Sequence, residues 1–149
     1  MGCETERKFR VRGDGWRDEA VRTSHIRQGY LHLDDRSEVR VRIRDDDATL
    51  TVKRGGPSLH RQEVEVPIDT ATAERLLVEG RVGAIIEKCR HEVPIGELVV
   101  EVDEFAGEHR GLVLAEVELP DAGTPVPEVP WLGEEVTGDA RFYNATLAR

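Results

Sequence analysis

The stretch Glu4-Thr5-Glu6-Arg7-Lys8 places two carboxylates and an ammonium at every second position near the start of the 149-residue chain. Successive side chains of a β-strand point to opposite faces, so this spacing predicts a strand that carries Glu4, Glu6 and Lys8 on one side. Similar alternation returns along much of the chain. It predicts a fold built mainly from strands that have one charged and one apolar face.

Later stretches combine this alternation with turn residues at their ends, such as Asp45-Asp46-Asp47 and Gly55-Gly56-Pro57. Short turns of this kind join strands that run antiparallel. The predicted strands cover residues 3–12, 25–33, 39–44, 49–53, 61–66, 84–93, 97–105 and 112–119.

Helical signals occur at two places. Residues 69–79 have an apolar face and an N-cap at Asp69 or Thr70, which predicts a helix. Residues 139–147 form a second predicted helix with Asp139 as its N-cap. The remaining segments are predicted to be irregular or only briefly helical, namely residues 17–24, residues 120–130 and the tail that begins at Trp131.

Composition limits the possible functions. The formal net charge of −9 argues against non-specific nucleic-acid binding, because such binding needs a basic surface. No apolar run approaches the roughly 20 residues of a membrane span, and the N-terminus lacks the apolar core of a secretory signal. Without an export signal, the two cysteines, Cys3 and Cys89, are predicted to be reduced thiols in the cytoplasm, and their lack of CxxC spacing argues against a zinc or redox site. The length predicts one domain over residues 1–149.

Charged side chains that share a predicted strand face are almost purely acidic or basic on most strands, whereas the opposite faces carry Val, Ile and Leu. The groups that share a face are Glu4, Glu6 and Lys8; Arg40, Arg42 and Arg44; Arg61, Glu63 and Glu65; Lys88 and Arg90; Glu101 and Asp103; and Glu116 and Glu118.

Two arrangements satisfy this pattern. In one, the apolar faces pack together as in a sandwich and the charges are solvated; in the other, the strands close into a barrel with the charges inside. On the pattern alone the sandwich is favoured, because burying charges is costly. Arginine-rich faces and paired carboxylates favour the barrel, since arginine binds phosphate bidentately and carboxylates are donors that Mg²⁺ prefers.

Several motifs occur in the order in which the CYTH superfamily, the triphosphate tunnel metalloenzymes, carries them. They are ExExK at 4–8, QGYL at 28–31, VRVR at 39–42, LTVK at 50–53, RxExE at 61–65, KxR at 88–90, ExD at 101–103, AEVEL at 115–119 and residues 131–148. The chain resembles the short bacterial single-domain members nearly end to end. The resemblance implies a mainly β (α+β) fold, in which a closed antiparallel eight-stranded β-barrel with a few peripheral helices encloses a charged tunnel.

The resemblance also implies a role for each matching charged residue. The cations that would bind the triphosphate are Lys8, Arg40, Arg42, Lys53, Arg61, Lys88 and Arg90. The ligands of one or two Mg²⁺ or Mn²⁺ ions would be Glu4, Glu6, Asp103, Glu116 and Glu118, with Glu63, Glu65 and Glu101 completing the acidic side. The catalytic candidates are Lys53, Glu6 and Lys8, with Lys53 as a proton donor to the leaving phosphate.

Some of these roles stay open. Lys8 and Arg61 either contact phosphate or form ion pairs that hold carboxylates. Tyr30 and Arg141 are candidates for a gate, and the C-terminal helix with Asn144 would plug or line one tunnel mouth.

The activity that the resemblance implies is metal-dependent hydrolysis of inorganic triphosphate (tripolyphosphate) to diphosphate and phosphate. The alternatives are a thiamine triphosphatase, a class IV adenylate cyclase and a non-catalytic module that binds polyphosphate or nucleotides. The chain has two Trp, two Tyr and three Phe, and this small number favours a substrate without a ring. A homodimer is predicted because the apolar outer faces of a barrel need cover.

Overall fold

The computed structural model of the chain describes residues 5–55 and 62–149. Glu4 and Arg61, two of the predicted site residues, lie outside the described residues. The strands are Thr5–Val11 (β1), Arg22–Leu33 (β2), Ser37–Arg44 (β3), Asp47–Arg54 (β4), Gln62–Ile68 (β5), Val82–Ile95 (β6), Leu98–Phe105 (β7), Val113–Leu119 (β8) and Leu132–Glu135 (β9). The α-helices are Thr70–Glu79 (α1) and Asn144–Leu147 (α2), and 3₁₀ turns cover Arg17–Glu19, Gly107–His109 and Ala140–Phe142.

The strands belong to one sheet with the order β5-β4-β3-β2-β6-β7-β8-β1-β9. The pairings β1–β8, β1–β9, β2–β3, β3–β4, β4–β5 and β7–β8 are antiparallel. The predicted mainly β, antiparallel fold is therefore confirmed. The described residues contain nine strands and not eight, with β5 and β9 at the two ends of the hydrogen-bonded order.

The C-terminal segment differs from its prediction in two respects. Leu132–Glu135, predicted as part of a tail, is a strand that pairs with β1. The helix predicted over 139–147 is divided into a 3₁₀ turn and the four-residue α2, whose N-cap is Tyr143 and not Asp139. A β-region backbone at Tyr143 separates the two turns, so one continuous helix cannot form. No helix in the described part of the chain is long and apolar enough to cross a membrane.

The described residues form two compact units. The first unit consists of residues 5–24 and 89–139, and the second of residues 25–55, 62–88 and 140–149. Each unit has an apolar core of its own, described separately below. The single domain over residues 1–149 stays a prediction.

The core of the first unit lies on the apolar faces of β1, β7 and β8. Val100 is opposite Val117, Val102 is opposite Ala115, and all four side chains are buried. Trp16 and Trp131 pack on this face, with Trp16 only 1% exposed. Apolar burial of this kind is the main stabilising contribution to a sheet face.

The strand β9 is joined to β1 by polar contacts. Arg7 donates two hydrogen bonds to Glu135, and Thr137 also donates to that carboxylate at 2.7 Å. These contacts lower the pKa of Glu135 to about 2, with the Arg7 hydrogen bond as the largest cause. One backbone hydrogen bond of 2.8 Å, from Val136 N to Lys8 O, extends the connection. The pairing depends on residues far apart in sequence, which explains why the short segment gave no strand signal.

The core of the second unit lies between α1 and the apolar faces of β3 and β4. Ala73 and Leu77 of α1 are fully buried against Val41, Ile43 and Ala48. The N-cap of α1 is Asp69, one of the two predicted candidates; its carboxylate accepts a hydrogen bond from Thr72 N at 2.7 Å, and the C-cap is Gly80.

Gly29 allows α1 to approach the sheet closely. It lies on β2 opposite Val41, and a Cβ added to it would come within 3.0 Å of Leu77 Cδ2. This distance is shorter than ordinary van der Waals contact, so any larger residue must displace Leu77. The glycine in QGYL is thus explained by helix packing.

We expect Gly29→Val to lower the free energy of unfolding by about 1–3 kcal/mol, because the added side chain overpacks the contact with Leu77. Urea denaturation followed by far-UV circular dichroism measures the change. Leu77→Ala alone is expected to cost about 2–5 kcal/mol, and in that background Gly29→Val should cost much less, since the cavity accepts the new methyl groups. Equal costs in the two backgrounds would contradict this account.

Candidate active site

The charged face of the first unit is formed by β1, β7 and β8, on the side opposite to the apolar core. The register places Glu6 opposite Glu118 and Lys8 opposite Glu116 across β1 and β8. On the other side of β8, Glu101 is opposite Glu116. Directly opposite residues in an antiparallel pair lie on the same face, so the predicted grouping of these charges is present.

Two of these pairs bring like charges opposite each other, which is unfavourable unless a positive charge compensates. Lys8 is beside one pair, as the cross-strand neighbour of Glu116. Glu6 and Glu118 are both exposed, so a hydrated cation can reach them from solvent. Their arrangement suits an ion that binds oxygen ligands.

Arg90 and Asp103 form a buried ion pair in the same unit. Arg90 Nε is 2.8 Å from Asp103 Oδ1, Nη2 is 2.9 Å from Oδ2, and Nη1 is 3.3 Å from Glu101 Oε2. Burial alone would lower the pKa of Arg90, but the hydrogen bonds and charge of Asp103, with Glu101 and Glu116, raise it above the usual value. Arg90 is therefore a fixed cation. Its predicted role in binding phosphate, and that of Asp103 in binding metal, stay predictions, because here the two groups bind each other.

The charged face of the second unit is formed by β2, β3, β4 and β5. Arg40 is opposite Tyr30 on one side and Thr51 on the other. Arg42 is opposite Gln28, and its Nε donates a hydrogen bond of 2.8 Å to Gln28 Oε1. The two arginines predicted to bind phosphate are thus next to each other on one strand face.

Lys53 lies between two carboxylates in the second unit. Its cross-strand neighbours are Glu38 on β3 and Glu63 on β5. Two residues away on the same face of β4, Thr51 Oγ1 donates to Glu65 at 3.3 Å. The three carboxylates predicted to complete the acidic side are therefore divided between the units. Glu63 and Glu65 lie beside Lys53 and Thr51 in the second unit, whereas Glu101 belongs to the first.

Lys88 is the most buried cation among the described residues, with no exposed surface. Its Nζ donates a hydrogen bond of 3.0 Å to Asn144 Oδ1 at the start of α2. Next to α2, Ala84 N donates to Ala148 O at 2.6 Å, and Gly83 leaves room for that carbonyl. The C-terminal segment is therefore fixed against β6 within the second unit, and Asn144 contacts a predicted phosphate ligand.

The two gate candidates differ in their surroundings. Tyr30 is buried, with 2% of its surface exposed, and Arg141 is exposed with its guanidinium 5.3 Å from the ring centre of Phe142. Their role as a gate stays a prediction. Sequence reasoning missed Gln28, although an amide on the same face as the arginines and inside a long strand was the available signal.

The comparisons with known proteins agree with the motif order. The model of the CYTH domain matches residues 2–143. The chain belongs to the CYTH family. It is 40% identical over 149 residues to an inorganic triphosphatase of Acetivibrio thermocellus, covering 100% of this chain and 95% of that protein. It is 40% identical over 152 residues to an inorganic triphosphatase of Nitrosomonas europaea, covering 97% and 96%.

Solved structures support the same assignment. The crystal structure of the inorganic triphosphatase NE1496 superimposes on this CYTH chain with a TM-score of 0.72 at 35% identity, covering 99% of this chain and 95% of that one. At this identity and coverage the similarity extends over the whole fold.

The CYTH family, as metalloenzymes, implies a divalent metal ion, and the chemistry of the acidic face fits one. Glu6, Glu116 and Glu118 offer oxygen donors, which Mg²⁺ and Mn²⁺ prefer to nitrogen or sulfur. Within residues 5–55 and 62–149, no three carboxylate, imidazole or thiol groups already gather around one point. The predicted ligand set also includes Glu4, which lies outside this part of the chain.

We expect Arg90→Met to lower the free energy of unfolding by about 3–5 kcal/mol, because it removes the two Arg90 hydrogen bonds and the positive charge beside the buried Asp103 carboxylate. Urea denaturation measures this effect independently of any activity. The double variant Arg90→Met/Asp103→Leu should recover most of the loss.

Arg7→Met supplies the matched control, because it removes a more exposed ion pair of the same unit, with Glu135. Its cost should be about 1 kcal/mol or less. If Arg90→Met and Arg7→Met lower the free energy of unfolding equally, burial of the Arg90 pair does not increase its contribution to stability.

Proposed function

We propose that the chain is a divalent-metal-dependent triphosphatase that hydrolyses inorganic triphosphate to diphosphate and phosphate. The observation that carries this proposal is the opposition of Glu6 and Glu118 across β1 and β8, because two exposed like charges held together attract a cation. Two relatives that are 40% identical over nearly their whole length bear the name inorganic triphosphatase, which supports the same substrate.

The proposed roles follow the two charged faces. In the first unit, Glu6, Glu116 and Glu118, with Glu4 and Asp103, hold one or two Mg²⁺ or Mn²⁺ ions. In the second unit, Arg40, Arg42, Lys53 and Lys88 bind phosphate oxygens. Arg90 of the first unit and Arg61, which lies outside the described residues, add further positive charge. A bound divalent ion supplies charge that offsets the phosphate oxygens and acidifies a water molecule.

The chemical step is an in-line displacement. A bond forms between the water oxygen and the terminal phosphorus, and the bridging P–O bond breaks with its electron pair remaining on the diphosphate. Lys53 Nζ gives a proton to that oxygen, and the proton lost by the water restores the ammonium through solvent. Glu38 and Glu63 lie opposite Lys53 on the two neighbouring strands. Fixed arginines stabilise the charge that spreads over the equatorial oxygens.

We further propose that the chain works in the cytoplasm and forms a homodimer. Cys89 is outside any disulfide of the described residues, which suits a reducing compartment.

The apolar faces of both units are largely covered by the chain itself, but Val64 and Val66 of β5 remain 62% and 42% exposed. We expect light scattering to give twice the 16.7 kDa of one chain, and a mass of 16.7 kDa would refute the dimer.

We expect phosphate release from tripolyphosphate to require Mg²⁺ or Mn²⁺ and to stop when the metal is removed with EDTA. Glu6→Gln and Glu118→Gln should each lower kcat/KM by roughly 100-fold, because each removes a charged oxygen donor. Glu108→Gln makes the same change at an exposed turn of the first unit and should leave the rate unchanged. Colorimetric phosphate determination measures all of these rates.

The same assay separates the alternatives. Faster release from thiamine triphosphate would support a thiamine triphosphatase, and cyclic AMP formed from ATP would support an adenylate cyclase. Tight binding of tripolyphosphate without turnover would support a binding module. Release that is absent or independent of metal for every substrate would refute the triphosphatase.

A further inference from the structure

Gln28 is a fully buried amide on the charged face of the second unit. It lies on β2 opposite Arg42, and two positions further along β2 is Tyr30, opposite Arg40. Its exposed surface is 0%. A polar side chain at such a position is expected to have hydrogen-bond partners for both ends of its amide.

The contact with Arg42 fixes the orientation of this amide. Arg42 Nε can only donate a hydrogen bond, so the Gln28 atom that faces it at 2.8 Å must be the carbonyl oxygen Oε1. The amide nitrogen Nε2 therefore points elsewhere. It has no acceptor among the described residues, although it is buried. A buried donor without an acceptor is costly, which indicates that a ligand satisfies it.

A second donor on the same face has the same need. Arg40 Nε is also buried and lacks an acceptor within residues 5–55 and 62–149. Arg40 and Gln28 are diagonal neighbours across β2 and β3, since their direct partners are Tyr30 and Arg42. Two neighbouring donors select a ligand that offers oxygen acceptors and negative charge, and they disfavour a cation.

We propose that Gln28 is a substrate-binding residue that donates from Nε2 to a non-bridging phosphate oxygen, while Oε1 orients the Arg42 guanidinium toward the same phosphate. The inference rests on the proposed triphosphatase function and adds a neutral contact to its charged ones. One amide thus performs two tasks, and its acceptor end keeps Arg42 from turning away from the substrate.

Two substitutions separate these tasks. Gln28→Glu keeps an acceptor for Arg42 but removes the donor and adds a negative charge beside the phosphate. Gln28→Met has a similar length and removes both the donor and the acceptor. Gln62→Glu is the matched control, because it makes the same change at the exposed glutamine of β5.

The experiment measures tripolyphosphate binding by isothermal titration and hydrolysis by phosphate release, with circular dichroism to verify folding. We expect Gln28→Glu to raise KM and Kd by about 10- to 100-fold, the effect of losing a hydrogen bond to a charged group. Gln28→Met should weaken binding similarly and also lower kcat, since Arg42 is no longer oriented. Gln62→Glu should change neither constant.

A purely structural role predicts a different result. In that case Gln28→Glu, which keeps the bond to Arg42, would bind tripolyphosphate as the wild type does, and this outcome overturns the inference. If Gln28→Glu does not fold, wild-type affinity in Gln28→Met overturns it equally. If the wild-type protein neither binds nor hydrolyses tripolyphosphate, the proposed function itself is overturned. If the wild type hydrolyses tripolyphosphate and the Gln28 variant binds it equally well, only the role of Gln28 is overturned.

Discussion

The alternation of side chains along the strands ties each charged face to an apolar core. In the first unit, Val117 can be buried only if Glu116 and Glu118 point to the other side of β8. In the second unit, burial of Val41 and Ile43 beneath α1 places Arg40 and Arg42 together on the opposite face. A shift of one residue in either register would bury charges and expose the core. The burial of apolar side chains therefore sets the positions of the charges.

Charge compensation differs between two pairs of residues in the first unit. Asp103 is neutralised within the protein by the buried Arg90, in a geometry that uses both carboxylate oxygens. Glu6 and Glu118 face each other in solvent, where the cost of repulsion is small but attraction for a cation is retained. The first arrangement stabilises the fold around a fixed cation. The second places two carboxylates at the surface, where a cation can reach them from solvent, and the difference follows from burial.

Strand parity and capping rules predicted much of this structure, because both depend on neighbours in sequence. They gave the shared faces of Glu6 with Lys8 and of Arg40 with Arg42, and they gave Asp69 as one of two candidates for the N-cap of α1. Contacts between distant residues could not be predicted in this way. The strand β9 depends on pairing with β1, and the bond between Arg90 and Asp103 depends on side-chain orientation across two strands. The motif resemblance supplied the family, but Gln28 was identified only from its burial and hydrogen bonding.

The position of the two tryptophans has a consequence for spectroscopy. Both tryptophans of the chain, Trp16 and Trp131, lie in the core of the first unit. Intrinsic fluorescence therefore follows the packing of that core, whereas far-UV circular dichroism follows the strands and helices of both units. Coincident unfolding curves from the two signals would mean that both units melt as one cooperative system, and separated curves would mean that the first unit unfolds at a different stability from the rest of the chain.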